Sequence, residues 1–175
     1  MKLTALTLLL ALAPLPLAAQ SHSAEPAKAP VPPSKSIQVT FEGKTITFTV
    51  GQLLDMPQVT VHVHNAHRNT DETYSGPLLS DVLAAVGLKS TREFQPIILH
   101  SGVIATGTDH YFVLYSAAEV EPTFSIGKVI VAVMKSGLPD TEGGLIQLID
   151  TDGAMPARWV HGLADINVIS ISPTK

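Results

Sequence analysis

A mixed α+β domain is the fold class this sequence predicts, and three observations predict it. Segments in which apolar and polar residues alternate recur from Ile37 to Ile171, as strands require. One segment, Leu78 to Val86, has apolar residues at helical spacing instead. Strands and helices do not alternate strictly, so the expected organisation is α+β (mixed α/β), with mixed β-sheets and a few short helices.

The elements follow in order. Met1-Lys2 is a short basic start, and Leu3 to Leu12 is an apolar run interrupted by Thr4 and Thr7. Pro14 and Pro16 break the run, and the small residues Ala18 and Ala19 follow. This pattern predicts a secretory signal peptide over 1–20 and a secreted, periplasmic mature protein. The run is too short to span a bilayer, and no transmembrane segment is expected in the mature chain. Residues 21–36 are rich in Ala, Pro, Ser and Lys and read as a disordered linker. Residues 37–175 are long enough for one domain with its own core.

Ile37 to Phe41 and Thr45 to Val50 alternate with period two around Glu42-Gly43-Lys44, which predicts a hairpin. Gly51 to Asp55 reads as a short helical turn that stops before Pro57. Val59 to Val63 is a third strand. The clear helix has Pro77 at its first position, Leu78, Leu79, Val82, Leu83 and Val86 on its apolar face, and Gly87 as its cap. Further strands are expected at Ile97–His100, Tyr111–Tyr115, Val129–Met134, Leu145–Ile149 and Ile166–Ile171, with a short helix over Ala117–Glu121 and a turn at Ser136-Gly137.

Composition narrows the function. The chain of 175 residues has no cysteine, so disulfides, a cysteine nucleophile, thiolate metal ligands and iron–sulfur clusters are excluded. The formal net charge is -4 and there is no basic stripe, which argues against nucleic acid as a partner.

The segment Val59 to Arg68, VTVHVHNAHR, concentrates the chemistry. His62 and His64 are two apart and share one face of a strand, while Val59, Val61 and Val63 take the other. His67 follows in the loop. The cluster has three readings: hydrogen-bonded strand and loop residues without a ligand; a metal site on His62, His64 and His67, with His110 or His161 as further ligands; or a cleft for an organic anion or a pterin, lined by the histidines and Arg68. Imidazole suits zinc or copper. Two imidazoles still require a third ligand.

The order of motifs resembles a known family. Tyr74-Ser75-Gly76-Pro77-Leu78-Leu79-Ser80-Asp81-Val82-Leu83, closed by Gly87, is similar to the "Tyr-x-Gly-Val-Pro-Leu-x-Asp-Leu-Leu…Gly" helix of the sulfite-oxidase-like molybdopterin-binding domain. Gly107-Thr108-Asp109-His110-Tyr111, leading to Glu119, resembles its "Ala-Asp-Gly-Tyr…Glu" segment. VIVAVMKSGLP, from Val129 to Pro139, resembles its "Asn-Gly-x-Pro-Leu" hairpin, and Gly143-Gly144 with Pro156-Ala157-Arg158-Trp159-Val160 resembles its closing segment. The resemblance implies the sulfite-oxidase-like molybdopterin-binding fold, an oxidoreductase class of domain and a molybdopterin cofactor. It places His64, His67, Arg68 and Arg158 as cofactor-binding residues. The family's metal-ligating cysteine falls at about His64, in His64-Asn65-Ala66-His67-Arg68, and this chain has no cysteine there. A cofactor-deficient relative is therefore one reading. A non-catalytic zinc- or copper-binding module and a periplasmic protein-interaction domain are the alternatives.

Weaker candidates complete the inventory. Arg68 and Arg158 are expected either to grip an anion or to pair with Asp71, Glu72 or Asp165. Asp109-His110 reads as a tight turn, and Trp159 and Tyr111 as core residues. Asp140, Glu142, Asp150 and Asp152 lack the spacing of a calcium loop.

Overall fold

The computed structural model describes residues 31–153 and 155–171. The expected signal peptide 1–20 and most of the expected linker lie outside the described residues. The linker's last residues are fastened to the domain: the Thr108 hydroxyl donates to the Pro32 carbonyl at 2.6 Å, and the Ser34 amide donates to the Gly144 carbonyl at 2.8 Å. Among the described residues no helix is long and apolar enough to cross a membrane.

The first hairpin pairs β1 (Ser36–Phe41) with β2 (Lys44–Thr49). Its turn residues Glu42 and Gly43 have positive φ, 48° and 78°, the conformation whose twist matches that of the paired strands. A Cβ at Gly43 would meet nothing within 4 Å, so glycine serves the backbone there and not the packing. α1 (Val50–Leu54) starts from a capping box in which Thr49 and Gln52 satisfy each other's backbone amides. The second hairpin joins β3 (Val59–Asn65) to β4 (Thr70–Gly76). Then come α2 (Leu79–Val86), α3 (Gln95–Leu99), β5 (Ser101–Gly107), β6 (Phe112–Ser116) and α4 (Ala117–Val120). The chain closes through β7 (Val129–Ala132), β8 (Met134–Lys135), β9 (Gln147–Asp150), a 3-10 turn at Pro156–Arg158 and β10 (Leu163–Ser170).

Three sheets result. The largest has strand order β2-β1-β10-β5-β6 and is mixed, because β1 and β10 run parallel while its other pairs are antiparallel. The second has the order β3-β4-β8, and the third pairs β7 with β9. β1 buries Ile37, Val39 and Phe41 at alternate positions, and α2 lays Leu79, Val82, Leu83 and Val86 into the same core. A smaller core gathers Val61, Tyr74, Ile130, Ala132, Ile149 and Trp159 beneath the second hairpin. Gly76 holds the sheets together. A Cβ there would lie 2.0 Å from the Val131 carbonyl oxygen, so any side chain would push β7 away.

Several expected elements are corrected. Ile97–His100 is not a strand but the end of α3: Pro96 occupies its first turn, where a missing N–H costs nothing, and only Ile98 is buried. The expected strand Val129–Met134 divides at Val133, whose amide turns to the Ser75 carbonyl at 3.0 Å, so β7 and β8 enter different sheets. Leu145 has φ 69°, and the strand expected from it begins only at Gln147. α2 starts at Leu79 and not at Pro77, because the Pro77 carbonyl accepts from the Val131 amide at 2.9 Å and Leu78 bridges to Ile130. Tyr111 is not in the core. It is 45% exposed, with its hydroxyl on the Ala157 carbonyl, whereas Trp159 is buried as expected.

Candidate functional site

The histidine hairpin has the two faces that period two predicts. Val61 is buried and Val59 and Val63 pack against the smaller core. His62 and His64 stand on the exposed opposite face. Each faces a polar residue across the ladder: His62 opposes Thr73 and His64 opposes Asp71. The His62 Nδ1 lies 2.9 Å from the Thr73 hydroxyl, and the His64 Nδ1 lies 2.8 Å from the Asp71 carboxylate. An ionised carboxylate only accepts, so the His64 Nδ1 is the donor of this pair, and its Nε2 points away from Asp71.

His67 does not share that face. It lies in the turn after β3, where the Asn65 side-chain carbonyl accepts from the His67 and Arg68 amides, each at 3.2 Å. Among the described residues no three His, Asp or Glu side chains gather at a metal-binding distance. His62 and His64 are thus adjacent on one face, and the described residues bring no third ligand to them.

Behind the turn lies a buried polar cluster that the sequence reading missed. The Glu72 carboxylate accepts from Asn65 Nδ2 at 3.0 Å, from the Tyr74 hydroxyl at 2.9 Å and from Lys135 Nζ at 2.8 Å. Lys135 also sits over the Tyr74 ring, 5.4 Å from its centroid. Burial pushes the Glu72 carboxyl upward, but the bonds from Lys135, Asn65 and Tyr74 outweigh it and leave the group below the usual carboxylate range. Burial, followed by the bond to Glu72, pushes the Tyr74 phenol well above its ordinary value. The signal was the alternation of Glu72, Tyr74 and Gly76, hidden because Thr70 to Gly76 is polar enough to read as a loop.

The two arginines are held apart by different carboxylates, and neither uses a partner the sequence suggested. Arg68 donates to Glu142 at 3.2 Å, at the exposed end of the second hairpin. That bond, set against partial burial, raises its pKa. Arg158 lies between Glu119 at 3.2 Å and Asp150 at 3.4 Å, stacked over the Tyr115 ring at 3.9 Å. Burial lowers the Arg158 pKa, and the bond to Glu119 together with the neighbouring Tyr115, Glu119 and Asp150 charges more than reverses it. Asp71 binds His64 and Glu72 binds Lys135, so the expected pairings to the arginines are corrected.

These residues do not fit a molybdenum–pterin group. At the end of β3, about where the resemblance puts a thiolate, stands His64, on a solvent-facing surface and committed to Asp71. The two guanidiniums that would meet a phosphate are already neutralised by carboxylates of the chain. A groove of about 530 Å³ does exist, but it lies between α3, β5, β6 and the end of β10. Leu99, Leu114 and Ile171 make it apolar, which suits no phosphorylated ligand.

No family model matches the chain, and no curated protein does. Among solved structures, the sulfane dehydrogenase SoxCD from Paracoccus pantotrophus is similar, with a TM-score of 0.60 at 16% identity. The likeness covers 80% of this chain and 39% of that one, so this chain spans well under half of its neighbour's length. At that identity the likeness shows the fold: a mixed-sheet α+β domain of the sulfite-oxidase-like kind, as expected from the sequence.

Proposed function

We propose that this chain is an exported, periplasmic domain of the oxidoreductase molybdopterin-binding class that works without the molybdenum cofactor, as a binding domain on that fold. The observation that carries this reading is the exchange at the end of β3. About where the resemblance requires a thiolate, His64 faces solvent and is bonded to Asp71. The fold likeness to a sulfane dehydrogenase supports the oxidoreductase-type ancestry. The occupied guanidiniums of Arg68 and Arg158 support the loss of the phosphate-binding role. Export rests on the amino-terminal pattern of a basic start, apolar run and small residues.

The test is composition of the protein taken from its native compartment. Amino-terminal sequencing is expected to begin near residue 21, and elemental and fluorescence analysis to find neither molybdenum nor pterin in stoichiometric amount. One pterin or one molybdenum per chain would overturn the cofactor-free reading. An intact Met1 in a membrane fraction would overturn cleavage.

A further inference from the structure

The exposed face of the second hairpin has an arrangement that its hydrogen bonds alone do not explain. Metal-binding imidazoles characteristically give one ring nitrogen to a carboxylate or hydroxyl and present the other to the metal. His64 does this with Asp71, and His62 is placed to do so with Thr73. The two residues lie two apart on one strand face, so both rings project from the same side. They form half of a site. Stable transition-metal sites take three or four protein ligands, and the described residues contribute no third.

The topology says where the other half comes from. β3 is the outer strand of its sheet, paired to β4 on one side only. Among the described residues no further backbone hydrogen bond reaches the free edge of β3 between Val59 and His64. An unpaired edge is a template for a second strand. Two copies of β3 laid antiparallel about Val63 set His62 of each copy opposite His64 of the other. All four rings then lie on one face, with directly opposed Cβ atoms about 5 Å apart. Four neutral imidazoles around one point suit a tetrahedral divalent ion such as zinc.

We propose that His62 and His64 are half of a transition-metal site completed by the same two residues of a second copy, joined along the free edge of β3. The site is incomplete in one chain and closed in two. This goes beyond the cofactor-free reading and stands or falls separately from it, since that reading is tested by pterin and molybdenum content.

The exported protein is examined by size-exclusion chromatography with light scattering, with added zinc chloride and then with EDTA. Zinc is expected to double the mass at one zinc per two chains, and EDTA to reverse it. His62→Ala and His64→Ala each remain monomeric with zinc while keeping the wild-type circular dichroism spectrum. His67→Ala and His110→Ala dimerise as the wild type does. Zinc bound at one per chain without a change of mass would overturn the shared site. So would a dimer indifferent to EDTA, a zinc-dependent dimer that survives both His62→Ala and His64→Ala, or no zinc binding at all.

Discussion

The second hairpin carries two faces built from alternate residues of the same two strands, and they obey opposite rules. On the inner face Asn65, Glu72 and Tyr74 are buried, bonded to one another and closed by Lys135. On the outer face His62 and His64 are exposed, each with one polar neighbour. A buried carboxylate that already holds three donors is largely satisfied by the fold, and removing Lys135 leaves its charge uncompensated. An exposed imidazole with one bonded nitrogen has its second nitrogen to offer. The inner face therefore supports the Asn65–Arg68 turn, and the outer face is the one left accessible to other molecules.

Substitutions on the inner face should have the largest effect on stability. Tyr74 is 2% exposed and meets Trp159 edge to face, with ring centroids 5.8 Å apart. Tyr74→Ala is expected to cost about 3–5 kcal/mol, read from denaturant unfolding. A loss below about 1 kcal/mol would mean that the inner face does not support the smaller core.

Lys135→Met comes next. It leaves the Glu72 carboxylate without its cation and should cost about 2–4 kcal/mol, below the full buried-pair value because Lys135 keeps some contact with solvent. The same cluster gives a pH signature. The folded-state pKa of Glu72 is depressed, so its contribution is present above the unfolded carboxylate value of about 4.3 and is lost as pH falls through the lower folded value. Stability measured from neutral pH into acid should show this limb in the wild type. Glu72→Gln should flatten it, and an unchanged acid limb in that variant would assign it to other groups.

Arg68→Ala should matter less. The guanidinium and Glu142 are more than half exposed, and such pairs contribute about 0–1 kcal/mol, diminishing with added salt. A salt-independent loss of several kcal/mol would place Arg68 functionally with the inner face.

What was legible in the sequence follows the same division. The hairpin at Glu42-Gly43, the apolar stripe of α2 and the valine side of β3 were readable because burial imposes a period on them. β4 was not, since its inner residues are Glu72 and Tyr74, polar groups made compatible with burial only by partners elsewhere in the fold. The run Ile97 to Leu99 was misread as a strand because three apolar residues carry no usable period. At the site, the shared face of His62 and His64 was readable from spacing. The partners of the arginines were not: Glu142 lies 74 residues from Arg68, and Glu119 lies 39 from Arg158. Charge at such separations is paired by topology, which no local pattern encodes.

The smallest stability effect is expected where the proposed functional effect is largest. His62→Ala and His64→Ala remove exposed rings, each with one side-chain hydrogen bond to a cross-strand neighbour that remains in contact with water. Each should change unfolding free energy by no more than about 0.5 kcal/mol, the ordinary range for surface substitutions. Thr73 and Asp71 turn to solvent when the rings are gone, so neither is left buried and unsatisfied. If the outer face serves binding, these variants lose zinc-dependent association while denaturant unfolding in metal-free buffer stays at the wild-type midpoint. A loss of stability above about 1.5 kcal/mol in metal-free buffer would reverse the comparison, making the histidines part of the framework that holds the hairpin together.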